Sequence, residues 1–258
     1  VKIVEPAAKL LAYTQLVPED RTEDPCSDMA RVVERCGRVS WKSESKIERG
    51  SAEGFCVRVV NIKKDLSIAE HSSATILFTT DRLTSHQLVR HRLGAMTQES
   101  THYISYAKEK FGREIAVMRP LSVQEGTEAY RIWLESCRQS EGAYLEMVDK
   151  GVKHHQARFV LPSCLKTEIA MTYNLRMWRT IFDQRCSPNN TAETVFACMA
   201  AARIMSALCP EIMGDWKEKS DAYFIEQEKS GLAVRTASPI PHTVEACSMA
   251  REEQGQGE

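Results

Sequence analysis

SATILFTTDRLTSHQLVRHRLGAMTQES, from Ser73 to Ser100, joins an apolar run to the densest stretch of polar chemistry in the chain. Its first eight residues are apolar and β-branched, which reads as a strand. Thr80 or Asp81 can cap a helix over DRLTSHQLVRHR, with Leu83 and Leu88 as buried positions and Gly94 just past its end. The triplet Arg90, His91, Arg92 then lies on the last helical turn. Gln87 and His91 are four apart, and Arg90 is three from Gln87, so an amide, an imidazole and a guanidinium gather near one end. Basic residues at a helix C-terminus also complement its dipole, so the triplet alone is weak evidence. The loop adds Thr97, Gln98, Ser100, Thr101, His102 and Tyr103 in quick succession, the donors and acceptors that a ligand with a phosphate and a heterocycle requires. Nucleotide binding is the functional expectation.

Outward from this stretch, short strands are predicted at Lys9 to Thr14 and Cys56 to Ile62. Val123 to Val152 reads as helix, with Trp133, Leu134, Cys137, Tyr144, Leu145 and Val148 turned inward. Pro162 breaks the chain, and Ser163 can cap a second long helix, CLKTEIAMTYNLRMWRTIFDQR. Pro188, Asn189 and Asn190 separate it from a third, Thr191 to Leu208. The coarse picture is several helices packed on a sheet.

On the second helix, Asn174, Trp178, Ile181 and Arg185 fall on one stripe whose polar ends are roughly 16 Å apart, a span that only an extended ligand covers. Arg185 could simply offset the helix dipole; a mid-helix Asn174, if buried, needs a partner. Arg158, in HHQARFVLP, serves equally as a structural ion-pair member or as a fork of donors for a phosphate or carboxylate. His154 and His155 diverge by about 100° on a helix, which suits surface residues better than a metal pair.

Composition narrows the class. The chain has 258 residues, 43% hydrophobic and 27% charged, and it fits one large domain over residues 1–230. Residues 231–258 contain Pro239, Pro241 and a Gln/Gly/Glu end and are expected to be partly disordered. With 34 basic and 35 acidic residues, the net charge of -1 gives no reason to expect a nucleic-acid or membrane partner. The nine cysteines form no CxxC pair and no zinc-ligand spacing, so no metal is expected, and they read as reduced thiols in a cytoplasmic protein. Val195 to Ala202 is too short to span a bilayer and Val1 opens no signal-like sequence; a soluble, unsecreted protein is expected.

Arg90, His91 and Arg92, then LGAMTQE, then Ser100 make RHR, seven residues, Ser, and this resembles the signature of flavin-dependent thymidylate synthases. SIAEHSSATILF around His71, ARFVLP around Arg158 and NLRMWRTIFDQR from Asn174 to Arg185 resemble family segments in the same order, over about Leu10 to Cys209. The resemblance implies an α+β fold in one domain, with a central, mainly antiparallel sheet packed with long helices. It implies reductive methylation of dUMP to dTMP, with methylenetetrahydrofolate and NADPH as co-substrates, FAD as cofactor and no enzyme cysteine as nucleophile. By position, Ser67, Arg90, His91, Arg92, Gln98, Asn174, Leu175, Arg176 and Thr180 would contact FAD. Gln87, Arg90, Gln98, Ser100, Thr101, His102 and Arg158 would hold the nucleotide. Arg185 would sit against the uracil ring as the catalytic residue. A homotetramer with active sites shared between subunits is implied as well.

The chain departs from the family pattern at four positions. Gln98 stands where the family usually has Glu, His102 where it has Arg, Thr180 where it has Asn, and Asn189 in place of a common His. A neutral histidine is a weaker phosphate partner than arginine, and its contribution depends on pH. Two other readings therefore stand beside dUMP methylation: the same chemistry on another pyrimidine nucleotide such as UMP, and a noncatalytic flavin- or nucleotide-binding protein.

Overall fold

The strand over Ser73 to Thr80 is a spine of the sheet. In the computed structural model, which describes residues 1–229, β1 (Lys2–Val4) and β2 (Ala7–Tyr13) precede α1 (Asp28–Val39) and α2 (Ser51–Cys56). β3 (Ser73–Asp81), α3 (Arg82–Leu88) and β4 (Ala95–Gln98) cover the motif stretch. β5 (Ala116–Met118), α4 (Glu128–Asp149) and the one-turn α5 (His154–Ala157) lead to β6 (Lys166–Asn174). Then come α6 (Leu175–Arg185), α7 (Ala192–Leu208), α8 (Pro210–Met213) and α9 (Asp215–Lys229). The C-terminal segment expected to be partly disordered lies outside the described residues.

The main sheet has the order β2-β3-β6-β4 with every pair antiparallel; β1 and β5 form a separate parallel pair. Burial alternates along the two central strands as a one-sided sheet requires: Ala74, Ile76, Phe78 and Thr80 on β3, and Thr167, Ile169, Met171 and Tyr173 on β6, all face inward. α6 packs on that face through Trp178, whose indole N–H donates to the Ala74 carbonyl at 3.2 Å and whose ring stacks on Phe182. α7 is apolar almost all round and is correspondingly buried along its length. A second apolar cluster, including Tyr106, Val117, Cys137, Tyr144 and Leu165, sits under α4. The fold is α+β and a single domain, with an antiparallel sheet against helices, in agreement with the expectation.

Several boundaries differ from the sequence reading. Cys56 to Ile62 is not a strand: α2 continues into a wide helical turn over Val57–Ile62, which buries Cys56 and Val60 four residues apart and leaves Val57 and Ile62 outside. Packing has overridden the β-branched composition. The single helix from Ser163 to Arg185 is instead a strand followed by a helix. KTEIAMTYN alternates with period two and pairs with β3 along all nine residues, and Asn174 ends it. Asn174 is thus a helix cap rather than a mid-helix residue, its Oδ1 accepting from the Met177 amide at 2.8 Å. α3 stops at Leu88, so the RHR triplet lies beyond the helix, with Leu88 buried as expected and Leu83 exposed. Thr127, not the region of Val123, opens α4.

Candidate active site

The strand register decides which motifs meet. β3 and β6 run from Ser73 opposite Asn174 to Asp81 opposite Lys166. At the Asn174 end, the turn Ile68–His71 enters β3, the RHR loop enters β4 with Ala95 opposite Thr172, and α6 leaves β6. Ser67, the RHR loop and the start of α6 therefore converge there. A groove of about 510 Å³ opens among Glu70, Leu93, Asn174, Arg176, Met177 and Thr180, a size in the range of ligand sites. Arg176 Nη1 donates to Glu70 Oε1 at 2.6 Å, and Thr180 Oγ1 donates to the Arg176 carbonyl at 3.1 Å. Ser67 Oγ donates to Asp65 Oδ1 at 2.6 Å. Leu175 is buried and its amide donates to the Ser72 carbonyl at 2.9 Å, so its side chain serves the core. Arg90 and Arg92 are exposed, and their guanidinium groups have no hydrogen-bond or ion-pair partner among the described residues.

His91 is different: it is buried and held from both sides. Its carbonyl accepts from Tyr173 Oη at 2.6 Å, while its ring Nε2 accepts from Arg185 Nε at 3.0 Å. Burial, and then the Arg185 charge, lower the imidazole pKa from its ordinary 6.5. The neutral ring with its proton on Nδ1 is the form that can accept from Arg185. Arg185 Nη1 reaches Asn190 Oδ1 at 3.4 Å, and Asn190 is fixed by Nδ2 donating to the Gln184 and Ser187 carbonyls. Tyr173 can reach His91 only because position 94 is glycine. A Cβ on Gly94 would stand 2.2 Å from the Tyr173 ring and 2.5 Å from the Thr172 carbonyl oxygen.

The other cluster lies at the Lys166 end. Gln98 is opposite Ile169, and its Nε2 donates to Ser85 Oγ at 2.8 Å and Thr167 Oγ1 at 3.1 Å, which leaves its amide oxygen for other partners. Gln87, half-buried, is on the last turn of α3. Past Gln98, Ser100 Oγ accepts from the His102 amide at 3.2 Å, and Thr101 Oγ1 accepts from Arg158 Nη1 at 3.3 Å. His154 Nε2 lies 3.0 Å from the His102 carbonyl oxygen. Asn189 is exposed after α6.

Thus the structure joins His91 to Arg185 and Thr101 to Arg158, pairs that are 94 and 57 residues apart in sequence. It does not gather all the sequence-predicted residues at one place. The two clusters are joined by β4, Ala95–Gln98, which is about 10 Å long at about 3.3 Å per residue. Sequence reading missed Tyr173, Asn190, Glu70 and His155. Tyr173 was hidden by the helical reading of KTEIAMTYN; Asn190 was read as linker. Among the described residues, no group of three or more His, Cys, Asp and Glu could hold a metal ion, and no helix is long and apolar enough to cross a membrane.

A family model described as thymidylate synthase complementing protein matches residues 22–211. The chain is 31% identical over 198 residues to a flavin-dependent thymidylate synthase of Geobacter sulfurreducens, a match covering 75% of this chain and 83% of the relative. A protein of the same description from Pyrococcus furiosus is 32% identical over 159 residues, 60% of this chain; the chain spans only 63% of that relative's length. One from Mycobacteroides abscessus is 27% identical over 235 residues, covering 83% of this chain and 91% of the relative.

Proposed function

The chain belongs to the flavin-dependent thymidylate synthase family, and we propose that it methylates dUMP reductively to dTMP, with methylenetetrahydrofolate as carbon donor, NADPH as reductant and FAD as cofactor. The observation that carries this reading is the hydrogen bond from Arg185 to His91. It locks a guanidinium at the end of α6 onto the RHR motif. A cation fixed in this way, with Asn190 as its second support, stabilises negative charge developing on the N3 and O2 side of uracil and so favours attack from C5. A neutral His91 is what makes the lock work, since an imidazolium would repel Arg185.

The groove at the Asn174 end suits FAD: Leu93 and Met177 offer apolar surface, Asn174 and Thr180 polar edges, and Arg90 and Arg92 two unpaired charges for its phosphates. Arg176 lines the same groove, His91 lies on the adjoining RHR loop, and Ser67 precedes the turn that carries Glu70. Bound there, the flavin supplies the hydride-transfer chemistry. At the other end, Gln87, Gln98, Ser100, Thr101, His102 and Arg158 orient the nucleotide through its phosphate and sugar. Arg90 would reach both ligands.

In a homotetramer, the Asn174 end of one subunit would meet the loop after β4 of another and so complete each site from two copies. The test is growth. A thymidine-requiring bacterium that lacks its own thymidylate synthase should grow without thymidine when it expresses this chain and should not when it expresses Arg185→Ala. Failure of the parent chain to support growth, with soluble FAD-loaded protein present, would refute the assignment.

A further inference from the structure

Between α4 and β6 the chain folds back onto the loop after β4, and the contact is made of imidazoles. The His102 and His155 ring centroids are 4.9 Å apart with planes inclined by 36°, and His154 lies 5.6 Å from His155. His154 Nε2 holds the His102 carbonyl oxygen at 3.0 Å, and Tyr103 meets the His102 ring edge-on. Arg158, three residues past His155, donates to Thr101. No carboxylate is in hydrogen-bond or ion-pair contact with His102, His154, His155 or Arg158 among the described residues. Desolvation first, and then the charges of His102, His154, Lys153 and Arg158, lower the His155 pKa from its ordinary 6.5.

We propose that His155 and His102 form a phosphate-contacting pair, which takes up a proton as it binds the monophosphate of the nucleotide substrate. The proposal rests on the reading above that the Ser100–His102 loop meets a nucleotide; it adds His155, on a different segment, as a specificity-determining contact. A phosphate monoester has a second pKa near 6, close to that of imidazole, so around pH 6 to 7 a shared proton costs little. The arriving dianion also offsets the positive neighbours that lower the His155 pKa in the free protein. Well above the ordinary imidazole pKa, His155 takes up no proton and the phosphate keeps Arg158 and the Ser100 and Thr101 hydroxyls alone.

The direction is therefore fixed: nucleotide affinity weakens as pH rises from about 6.5 to 8.5, by about tenfold, as expected when one charge-assisted hydrogen bond is lost. The experiment is calorimetric titration of the FAD-loaded full chain with dUMP and with deoxyuridine, at pH 6.5 and 8.5, in two buffers of different ionisation enthalpy. The parent protein should take up protons with dUMP and not with deoxyuridine. His155→Gln should bind dUMP about tenfold more weakly at pH 6.5 and like the parent at pH 8.5, while His155→Arg should bind tightly at both. Parent-like dUMP affinity of His155→Gln at pH 6.5 would overturn the pair and leave the nucleotide reading standing. Absence of dUMP binding by the parent at either pH would overturn both.

Discussion

Gly94→Ala tests the link between packing and chemistry most sharply. The added methyl would sit 2.2 Å from two carbons of the Tyr173 ring and 2.5 Å from the Thr172 carbonyl oxygen, where ordinary contacts are 3.4 Å or more. Neither neighbour yields easily, because Tyr173 is buried and Thr172 is hydrogen-bonded backbone paired with both β3 and β4. The overlap should cost about 1–3 kcal/mol as overpacking, and displacing Tyr173 from the His91 carbonyl adds about 1 kcal/mol. At about 2–4 °C per kcal/mol for a domain of this size, the melting temperature should fall by roughly 4–16 °C. Because Tyr173 holds the segment that carries His91, turnover should fall as well. Gly142→Ala is the control: it lies exposed within α4, its Cβ would meet nothing within 4 Å, and alanine should leave stability unchanged or raise it by up to about 1 kcal/mol. Thermal unfolding followed by circular dichroism reads both variants. A Gly94→Ala protein melting within about 1 °C of the parent would refute the close-approach reasoning.

Arg185→Ala should lower turnover at least a hundredfold, the scale for removing a donor that stabilises developing charge, with FAD affinity little changed; Arg90→Ala should weaken both FAD and nucleotide. Fluorescence titration with FAD beside steady-state rates separates the two, and equal loss of FAD affinity would contradict the division. His91 sets an acid limit. Its folded-state pKa is depressed below 6.5, so its contribution is present above 6.5 and is lost as pH falls through the folded value, when Nε2 gains a proton and Arg185 loses its acceptor. Turnover at saturating nucleotide should therefore hold through the ordinary imidazole range and fall only on further acidification, and His91→Gln should lack that acid limb. Finally, the cysteines should differ in reactivity. Burial pushes the Cys186 thiol up to about 12, while the hydrogen bond to Cys137, with the sulfurs 3.6 Å apart, lowers the thiol pKa of partly buried Cys164. Iodoacetamide at pH 7.5 should label Cys164 well before Cys186, by peptide mass mapping, and Cys164→Ala and Cys186→Ala should both retain activity.

The legible parts of the sequence were those written in local chemistry. Ser73 to Thr80 is an apolar, β-branched run, Thr191 caps α7, and the RHR triplet announces a polar site. KTEIAMTYNLRMW was misread because apolar residues spaced by two and then by three or four let one window satisfy either period; only pairing with β3 settles it. Asn174, which looked like an anomaly inside a helix, was the mark of the boundary. Cys56 to Ile62 went wrong for the opposite reason, since β-branched composition suggested a strand that the packing of Cys56 and Val60 overrides. At the site, the residues were visible but not their grouping. That Arg185 meets His91, or that His155 faces His102, depends on register and chain reversal, which no short window contains.

The most direct test of the account is product analysis. FAD-loaded protein, NADPH and methylenetetrahydrofolate carrying a carbon-13 methylene should be incubated with dUMP or with UMP, and the nucleotides resolved by mass spectrometry. Labelled dTMP from dUMP, with little methylated product from UMP, is the expected result. Methylation of UMP in preference to dUMP, or no labelled nucleotide from either, would contradict it.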